Sequence, residues 1–319
     1  MNYLKKDSHG CPYLLLAPME GVGDRTFRLS MREVGGFDEA VTEFIRVPAN
    51  AHVKSLAACY ESKELDPIPL AAQVMGSDIR LLADMAKELE MRGAPRIDFN
   101  CGCPSNTVTG KGAGSSLLKE PKHLFDCAQA LVQAVSIPVT LKMRSGFEDT
   151  SLFKENLLAA QESGICYLTL HPRTKKEGYG PPANWDLIAE AKALLSIPIV
   201  GNGDILAVDD ALRMLQHTSC DALMIGRGAV RNPFIFHEIR AHFAKRNVRF
   251  DASALKEHVS FFKNALPETM LEKSKISKMK QLLNFVFRAK ELEPYRQTML
   301  TNKSQDVESF VTAALEAIH

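Results

Sequence analysis

The chain has 319 residues, 45% hydrophobic and 24% charged, the balance of a globular protein with a sizeable core. Its formal net charge of +1 excludes a uniformly basic nucleic-acid binder or an acidic one, though not a local patch. Seven scattered cysteines, an odd number, exclude a disulfide framework and point to a reducing compartment.

Along the chain, the leader carries Lys5 and Lys6, followed by Asp7-Ser8-His9-Gly10 instead of an apolar stretch of signal-peptide type. No run approaches a membrane span, so a cytoplasmic protein with no membrane partner is expected. Short β-rich runs then recur at 13–19 (YLLLAPM), 39–45, 69–76, 96–101, 138–144, 166–171, 198–202 and 222–226. Between them, residues 79–92 set Leu82, Met85 and Leu89 at helical spacing, and 122–134 and 153–163 behave alike. Gly93, Gly164 and two Ser-Ile-Pro turns (136–138 and 196–198) mark the returns from helix to strand. Eight strands alternating with helices predict an α/β fold, a (β/α)₈ TIM barrel. The rival, a doubly wound sheet, expects phosphate-binding glycines after its first strand, and here only Glu20-Gly21-Val22 follows.

Past residue 245 the strand pattern stops, and 255–265, 273–290 and 307–318 read as amphipathic helices. The expected organisation is a catalytic barrel over 1–245 and a small all-helical domain over 246–319.

Active sites of such barrels lie at the carboxyl ends of the strands. The first strand ends in Ala17-Pro18-Met19-Glu20, the second in Glu43-Phe44-Ile45-Arg46 and the third in Gln73. The fourth ends in Asn100-Cys101-Gly102-Cys103, the fifth in Lys142 and Arg144, and the sixth in His171 and Arg173. Any one of these is compatible with an ordinary surface; their convergence on one rim favours a site. The seventh strand runs into Gly201-Asn202-Gly203-Asp204 and the eighth into Gly226-Arg227-Gly228. Glycines let backbone N–H groups approach an anion, and the loops after strands 7 and 8 are a frequent phosphate site. Arg227 would add a charge-assisted contact. The alternative is two turns packed tightly for geometry alone. A phosphate held there would set a cofactor ring over the mouth, with Lys142 suited to the electron-rich edge of a reduced flavin and Gln73 able to hydrogen-bond the ring. A strand-end lysine is equally often a solvated charge, so position alone leaves that open.

The pair Cys101 and Cys103 lacks the C-x₂₋₄-C spacing and second cluster of a zinc site, and no metal is expected. Either cysteine alone suits a buried packing role. Gly102 and Pro104, however, hold Cys103 in a turn past the strand end. A thiol with an ordinary pKa of about 8.5 is mostly protonated at neutral pH and can donate a proton.

The motifs A-P-M-E-G (17–21), T-E-F-I-R-V (42–47), D-F-N-C-G-C-P-S (98–105), L-K-M-R-S-G (141–146), H-P-R-T (171–174), G-N-G-D-I (201–205) and M-I-G-R-G-A (224–229) resemble, in register, those of the tRNA-dihydrouridine synthases. The T-E-F-x-R-V and N-C-G-C-P forms are most similar to the bacterial C-type branch, associated with uridine 16 of the D-loop. The resemblance implies FMN on the barrel mouth, NADPH as reductant and tRNA as partner. It further implies hydride transfer from flavin to uracil C6, with Cys103 protonating C5. By the same resemblance Ala17, Pro18, Met19, Gln73, Lys142, His171, Asn202, Gly203, Asp204, Gly226 and Arg227 would hold FMN, with His171 against flavin or base. Asn100 would contact the uridine, which must leave the base stack to enter the pocket, and Arg46 and Arg144 would touch the RNA. The sequence departs from the family at Pro172, where a small residue is usual, and at Gly180, where the nearest branch often has a basic one.

Residues 273–303 hold eight basic residues against two acidic, and 240–249 add four with no acid, a composition suited to tracking phosphates or to a solvated helix face. In the first of these, Ile276, Met279, Leu283 and Val286 form the expected core stripe, flanked by Lys273, Lys280 and Arg288; the last two are the candidate RNA contacts. A monomer is expected. The rivals are a flavin barrel acting on a free pyrimidine or a dihydroorotate-like metabolite, and a tRNA-binding module without catalysis.

Overall fold

The computed structural model describes residues 3–105, 110, 112–289 and 291–318; Lys290, the predicted end of one tail helix, lies outside them. Nine parallel strands are present among the described residues: β1 (Tyr13–Leu16), β2 (Glu39–Val41), β3 (Ile45–Val47), β4 (Leu70–Gly76), β5 (Ile97–Cys101), β6 (Val139–Gly146), β7 (Leu168–Thr174), β8 (Ile199–Asn202) and β9 (Ala222–Ile225). Their order is β2-β1-β9-β8-β7-β6-β5-β4-β3, and a β2–β4 pairing closes the ring. The predicted second strand is therefore two short pieces sharing one barrel position. β2 pairs with β4 at Ala40↔Leu70, and β3 rejoins it at Ile45↔Val74. The break falls at Thr42-Glu43-Phe44. Thr42 Oγ1 there accepts the Gln73 N–H (3.0 Å) and Glu43 Oε1 accepts the Gly21 N–H (2.6 Å). The fold is the predicted (β/α)₈ TIM barrel.

Helices α1 (Arg25–Val34), α2 (Val53–Ala57), α3 (Ile79–Met91), α4 (Pro121–Ala134), α5 (Phe153–Glu162), α6 (Asp186–Leu194) and α7 (Val208–Thr218) fill the crossovers. α8 (Arg227–Arg231) and α9 (Ile235–Phe243) follow the last strand. Asp24 and Asp78 cap α1 and α3 by accepting the N–H groups of Phe27 and Leu81.

Strand alternation decides which side chains see the mouth. Leu14 and Leu16 of β1, Phe99 and Cys101 of β5, and Leu141 and Met143 of β6 face the helices in one large apolar cluster. Leu15, Ala17, Val41, Ala71, Tyr167, Val200 and Met224 form a second cluster inside the barrel, and Leu4 of the leader joins it, plugging the barrel floor. The interior also carries polar side chains, with Gln73, Asp98, Asn100, Thr140 and Thr169 all buried. Arg96 bonds Glu39 (2.9 Å) and Asp98 (3.3 Å), so this buried cation is paired.

The tail forms α10 (Ala252–Asn264), α11 (Glu272–Val286), α12 (Glu293–Thr301) and α13 (Val307–Glu316). α12 has no counterpart in the sequence pattern; Pro294 at its start and the run Glu-Pro-Tyr-Arg give little apolar periodicity. α10 packs on α1, and α11 packs on α8, α12 and α13. The stripe Ile276, Met279, Leu283 and Val286 is buried. Lys278 ties α11 to the loop after β1, through Asp24 (2.5 Å) and the Gly21 carbonyl (3.1 Å). Beside that tie lies a groove of about 390 Å³ lined by Gly21, Met270, Ser274, Ser277, Lys278 and Gln281.

Candidate active site

Cys103 sits one turn past β5, 8% exposed, packed against Met75, Ala113 and the partly buried Phe44. Its turn is held from two sides. Asn100 Oδ1 accepts the N–H groups of Gly102 and Cys103 (both 2.9 Å), and the Cys103 carbonyl accepts from Ser115 N and Oγ (3.2 and 2.9 Å). Burial raises the Cys103 thiol above its ordinary range, a shift that a hydrogen bond from the Ser105 backbone and then the charges of Arg144 and Arg46 oppose without reversing. The thiol is therefore protonated at neutral pH. Cys101 points the other way, into the helix-facing core, where burial pushes its thiol well up.

Across the rim, Lys142 pairs in register with Asn100, and Arg144 with His171. The Lys142 ammonium donates to Asn202 Oδ1 (3.0 Å), while Asn202 Nδ2 donates to the Met224 carbonyl (2.8 Å). Burial and then the Arg144 charge lower Lys142 to about 8. His171 is buried, and burial followed by the charges of Lys142, Arg144, Arg173 and Arg227 holds its imidazole down to about 2. It is neutral. Arg173 Nη1 lies 3.3 Å from His171 Nε2, and a guanidinium only donates, so Nε2 accepts and the proton sits on Nδ1.

The loops after β8 and β9 meet at Asp204. Its carboxylate accepts from Arg173 (3.1 and 2.6 Å), Arg227 (3.0 Å) and the Ala183 N–H (2.8 Å). Burial would raise this carboxyl, but those hydrogen bonds and cations prevail and lower it. Gly203 has φ +118°, and a Cβ there would fall 2.9 Å from His171 Cδ2. At Gly226 a Cβ would lie 3.2 Å from Met19 Sδ and 3.4 Å from the Ala17 Cβ. Both glycines leave bare backbone beside a cluster of cations, an arrangement that suits an anionic group. α8, which follows Gly226, has five residues, so its dipole adds little.

Several expected contacts are committed inside the protein. Arg144 is buried and donates to the carbonyls of Gly102, Thr174 and Gly178 (each 2.9 Å), clamping the turn after β5 to the end of β7 and the loop that follows it. Gln73 is fully buried, its amide shared between Asp98 and Asn100. Arg46 is half-buried on β3, opposite Met75. Lys280 is half-buried; it donates to the Asn302 carbonyl (2.7 Å) and lies over the Phe310 ring. Arg288 is exposed, just beyond the end of α11.

Three features of the site have no clear signal in the sequence. Arg173 is a rim residue by strand position alone, yet it organises both His171 and Asp204. Asp98 reaches Asn100 through Gln73. Tyr179 is 59% exposed, with the Arg144 and Arg227 guanidinium carbons 5.2 and 4.9 Å from its ring centre and His171 6.1 Å away. No local pattern marks a lone tyrosine in a glycine-rich loop. Of the departures, Pro172 falls where the β6–β7 register shifts, beyond the last β7–β8 pair at Leu170↔Gly201, so no ladder bond misses its N–H. Gly180 is exposed, and a Cβ there would meet only the Glu177 carbonyl at 3.6 Å.

Among the described residues no cluster of His, Cys, Asp and Glu could hold a metal ion, and no helix is long and apolar enough to cross a membrane. A barrel of similar fold occurs in histamine dehydrogenase from Rhizobium sp. 4-9, with a TM-score of 0.55 and 14% identity over 80% of this chain and 49% of that one. This chain thus spans about half the length of that enzyme. In sequence it is 35% identical to the tRNA-dihydrouridine(16) synthase of Neisseria meningitidis serogroup B over 283 residues, 86% of this chain and 85% of the relative. It is 40% identical to the tRNA-dihydrouridine(16) synthase of Shewanella oneidensis over 238 residues, 71% and 75% of the two chains. The family model for dihydrouridine synthase (Dus) matches residues 15–318, the barrel and the helical tail together. The chain belongs to the dihydrouridine synthase family.

Proposed function

We propose that this protein reduces a uridine of tRNA to 5,6-dihydrouridine, with uridine 16 of the D-loop as its target, and that it works as a cytoplasmic monomer. The observation that carries the reading is Cys103: a protonated, buried thiol on a braced turn, opening onto the same rim as Lys142 and the glycine loops. Saturating a C5=C6 bond needs an acid beside C5, and a thiol kept protonated by burial can serve as one. The relatives named for uridine 16 favour that position.

The residues fit a phosphate-bearing flavin. Gly203, Asp204, Gly226 and Arg227 would hold FMN at its phosphate end, with Arg173 fixing Asp204. Ala17, Pro18, Met19, Gln73, Lys142, His171 and Asn202 would line its ring. When bound, the flavin supplies the hydride for C6, and NADPH restores it. Lys142 contributes a fixed cation, and His171 contributes an Nδ1–H donor that does not ionise. Asn100 orients the turn and would touch the flipped uridine with its remaining amide hydrogen. Arg144 and Arg46 place positive charge at the entrance.

We assign residues 1–245 to catalysis and 246–319 to tRNA binding. Lys273 and Arg288 are the exposed cations near the two ends of α11. Replacing both with Glu is expected to weaken tRNA binding and lower the slope of log Kd against log salt by about 1.5–2. Flavin absorbance should stay unchanged. Lys280→Glu is expected to act differently, lowering the melting temperature because the Asn302 bond is lost. A salt slope unaltered by the first pair would move the RNA surface elsewhere.

The decisive test maps dihydrouridine in tRNA from a deletion strain, with and without this protein restored. Loss and return of the modification at position 16 is expected. Its persistence in the deletion strain, or turnover of free uridine as fast as of folded tRNA, would favour a metabolite-reducing barrel instead.

A further inference from the structure

We infer that Asp98 is a positioning residue whose acceptor-only carboxylate sets the polarity of a hydrogen-bond chain ending at the backbone of Cys103. Asp98 Oδ1 accepts from the Thr140 hydroxyl (2.6 Å) and from Arg96 (3.3 Å). Its Oδ2 accepts from Gln73 Nε2 (2.7 Å), which turns Gln73 Oε1 toward Asn100 Nδ2 (2.8 Å). That in turn points Asn100 Oδ1 at the N–H groups of Gly102 and Cys103 (2.9 Å each). All three side chains are buried, so water offers no alternative partner. Gln and Asn amides have nearly the same shape either way round and carry no orientation of their own. A carboxylate cannot be reversed. The orientation of the chain is therefore set by its two irreversible ends, the Asp98 carboxylate and the backbone N–H groups four and five residues further on, and the two amides between them must match both.

Asp98→Asn inverts this order. The new amide oxygen stays with Arg96 and Thr140, and its NH₂ faces Gln73. Gln73 then rotates to accept, Asn100 rotates to accept from Gln73, and an NH₂ group meets two backbone N–H donors. Asn100→Asp in the same chain repairs the fault. One oxygen of the introduced carboxylate accepts from the reversed Gln73, and the other accepts from Gly102 and Cys103. Asn100→Asp alone sets Gln73 between two carboxylates and is also mismatched.

The experiment compares full-length wild type, Asp98→Asn, Asn100→Asp and the double variant by amide hydrogen exchange and thermal melting. In Asp98→Asn, the peptide holding Gly102 and Cys103 should exchange about tenfold faster, as loss of a buried backbone acceptor predicts. The double variant should return to within about threefold of wild type and melt above both single variants. Unchanged exchange in Asp98→Asn, or a double variant melting no higher than the weaker single, overturns the inference. Where Asp98→Asn does not fold, the double variant must still melt above Asn100→Asp. The inference rests on Cys103 as proton donor only for its effect on turnover. Exchange and melting report on the chain of bonds itself, so activity retained by a Cys103 variant would sink the donor and leave the relay standing.

Discussion

Cys103→Ala is expected to lower dihydrouridine formation on tRNA by about 10²–10⁴-fold, the usual contribution of a positioned general acid. The fold and bound flavin should survive. The turn around Cys103 is held by backbone bonds from Asn100 and Ser115, none of which uses the sulfur. Removing the sulfur deletes the proposed acid and its contact with the Ser105 N–H, while the Asn100 and Ser115 bonds keep the loop in place. Cys101→Ala makes the converse case. Its sulfur is wholly buried among helix-facing residues, so truncation leaves a small cavity costing about 1 kcal/mol while turnover persists. Single-turnover assays on folded tRNA, read with flavin absorbance and melting curves, separate the two. Equal loss of activity in both variants, or full activity without Cys103, would remove Cys103 as the donor.

This asymmetry shows what is legible in the chain before the fold is seen. Period-two alternation along Ile97–Cys101 already sends Asn100 inward and Cys101 outward, and Gly102 and Pro104 already place Cys103 beyond the strand. The barrel is legible for the same reason: eight apolar runs with helical spacing between them admit few other closures. The break between β2 and β3 is not legible, because Thr42-Glu43-Phe44 contains no glycine or proline and is interrupted by partners distant in sequence, Gly21 and Gln73. The same holds for Lys280 and Arg144. Composition marks them as cations, but whether a cation meets solvent or a carbonyl depends on which loops surround it. Arg144 is enclosed by three carbonyls from two segments, and Lys280 reaches a carbonyl 22 residues away. Periodic and local signals survive in one dimension; orientation set by tertiary partners does not.

Lys142 combines both kinds of information, since its strand position is legible and its energetic state is not. Burial and the neighbouring Arg144 charge lower its ammonium to about 8, whereas an unfolded lysine keeps its proton to about 10.4. Between these values the unfolded chain binds more protons than the native one, so this group makes stability rise with pH across that window. Below about 8 both states are protonated, and the cost of holding the charge inside is fully present. Lys142→Met, similar in volume and uncharged, is expected to raise the melting temperature at pH 7 on the order of 2 °C. The gain is net of the bond lost to Asn202. It should also flatten the rise in stability between about pH 8 and 10. Turnover should move the other way, falling about 10²-fold with loss of a fixed cation at the proposed reacting centre. In wild type turnover should decline as pH rises through about 8 and Lys142 loses its proton, and the variant should lack that limb. A more stable, nearly inactive protein with a flattened profile would show that the barrel holds this charge against its own stability because the reaction uses it. A variant that melts lower at pH 7 and keeps the wild-type pH slope would mean the lysine is a structural partner of Asn202 and no more.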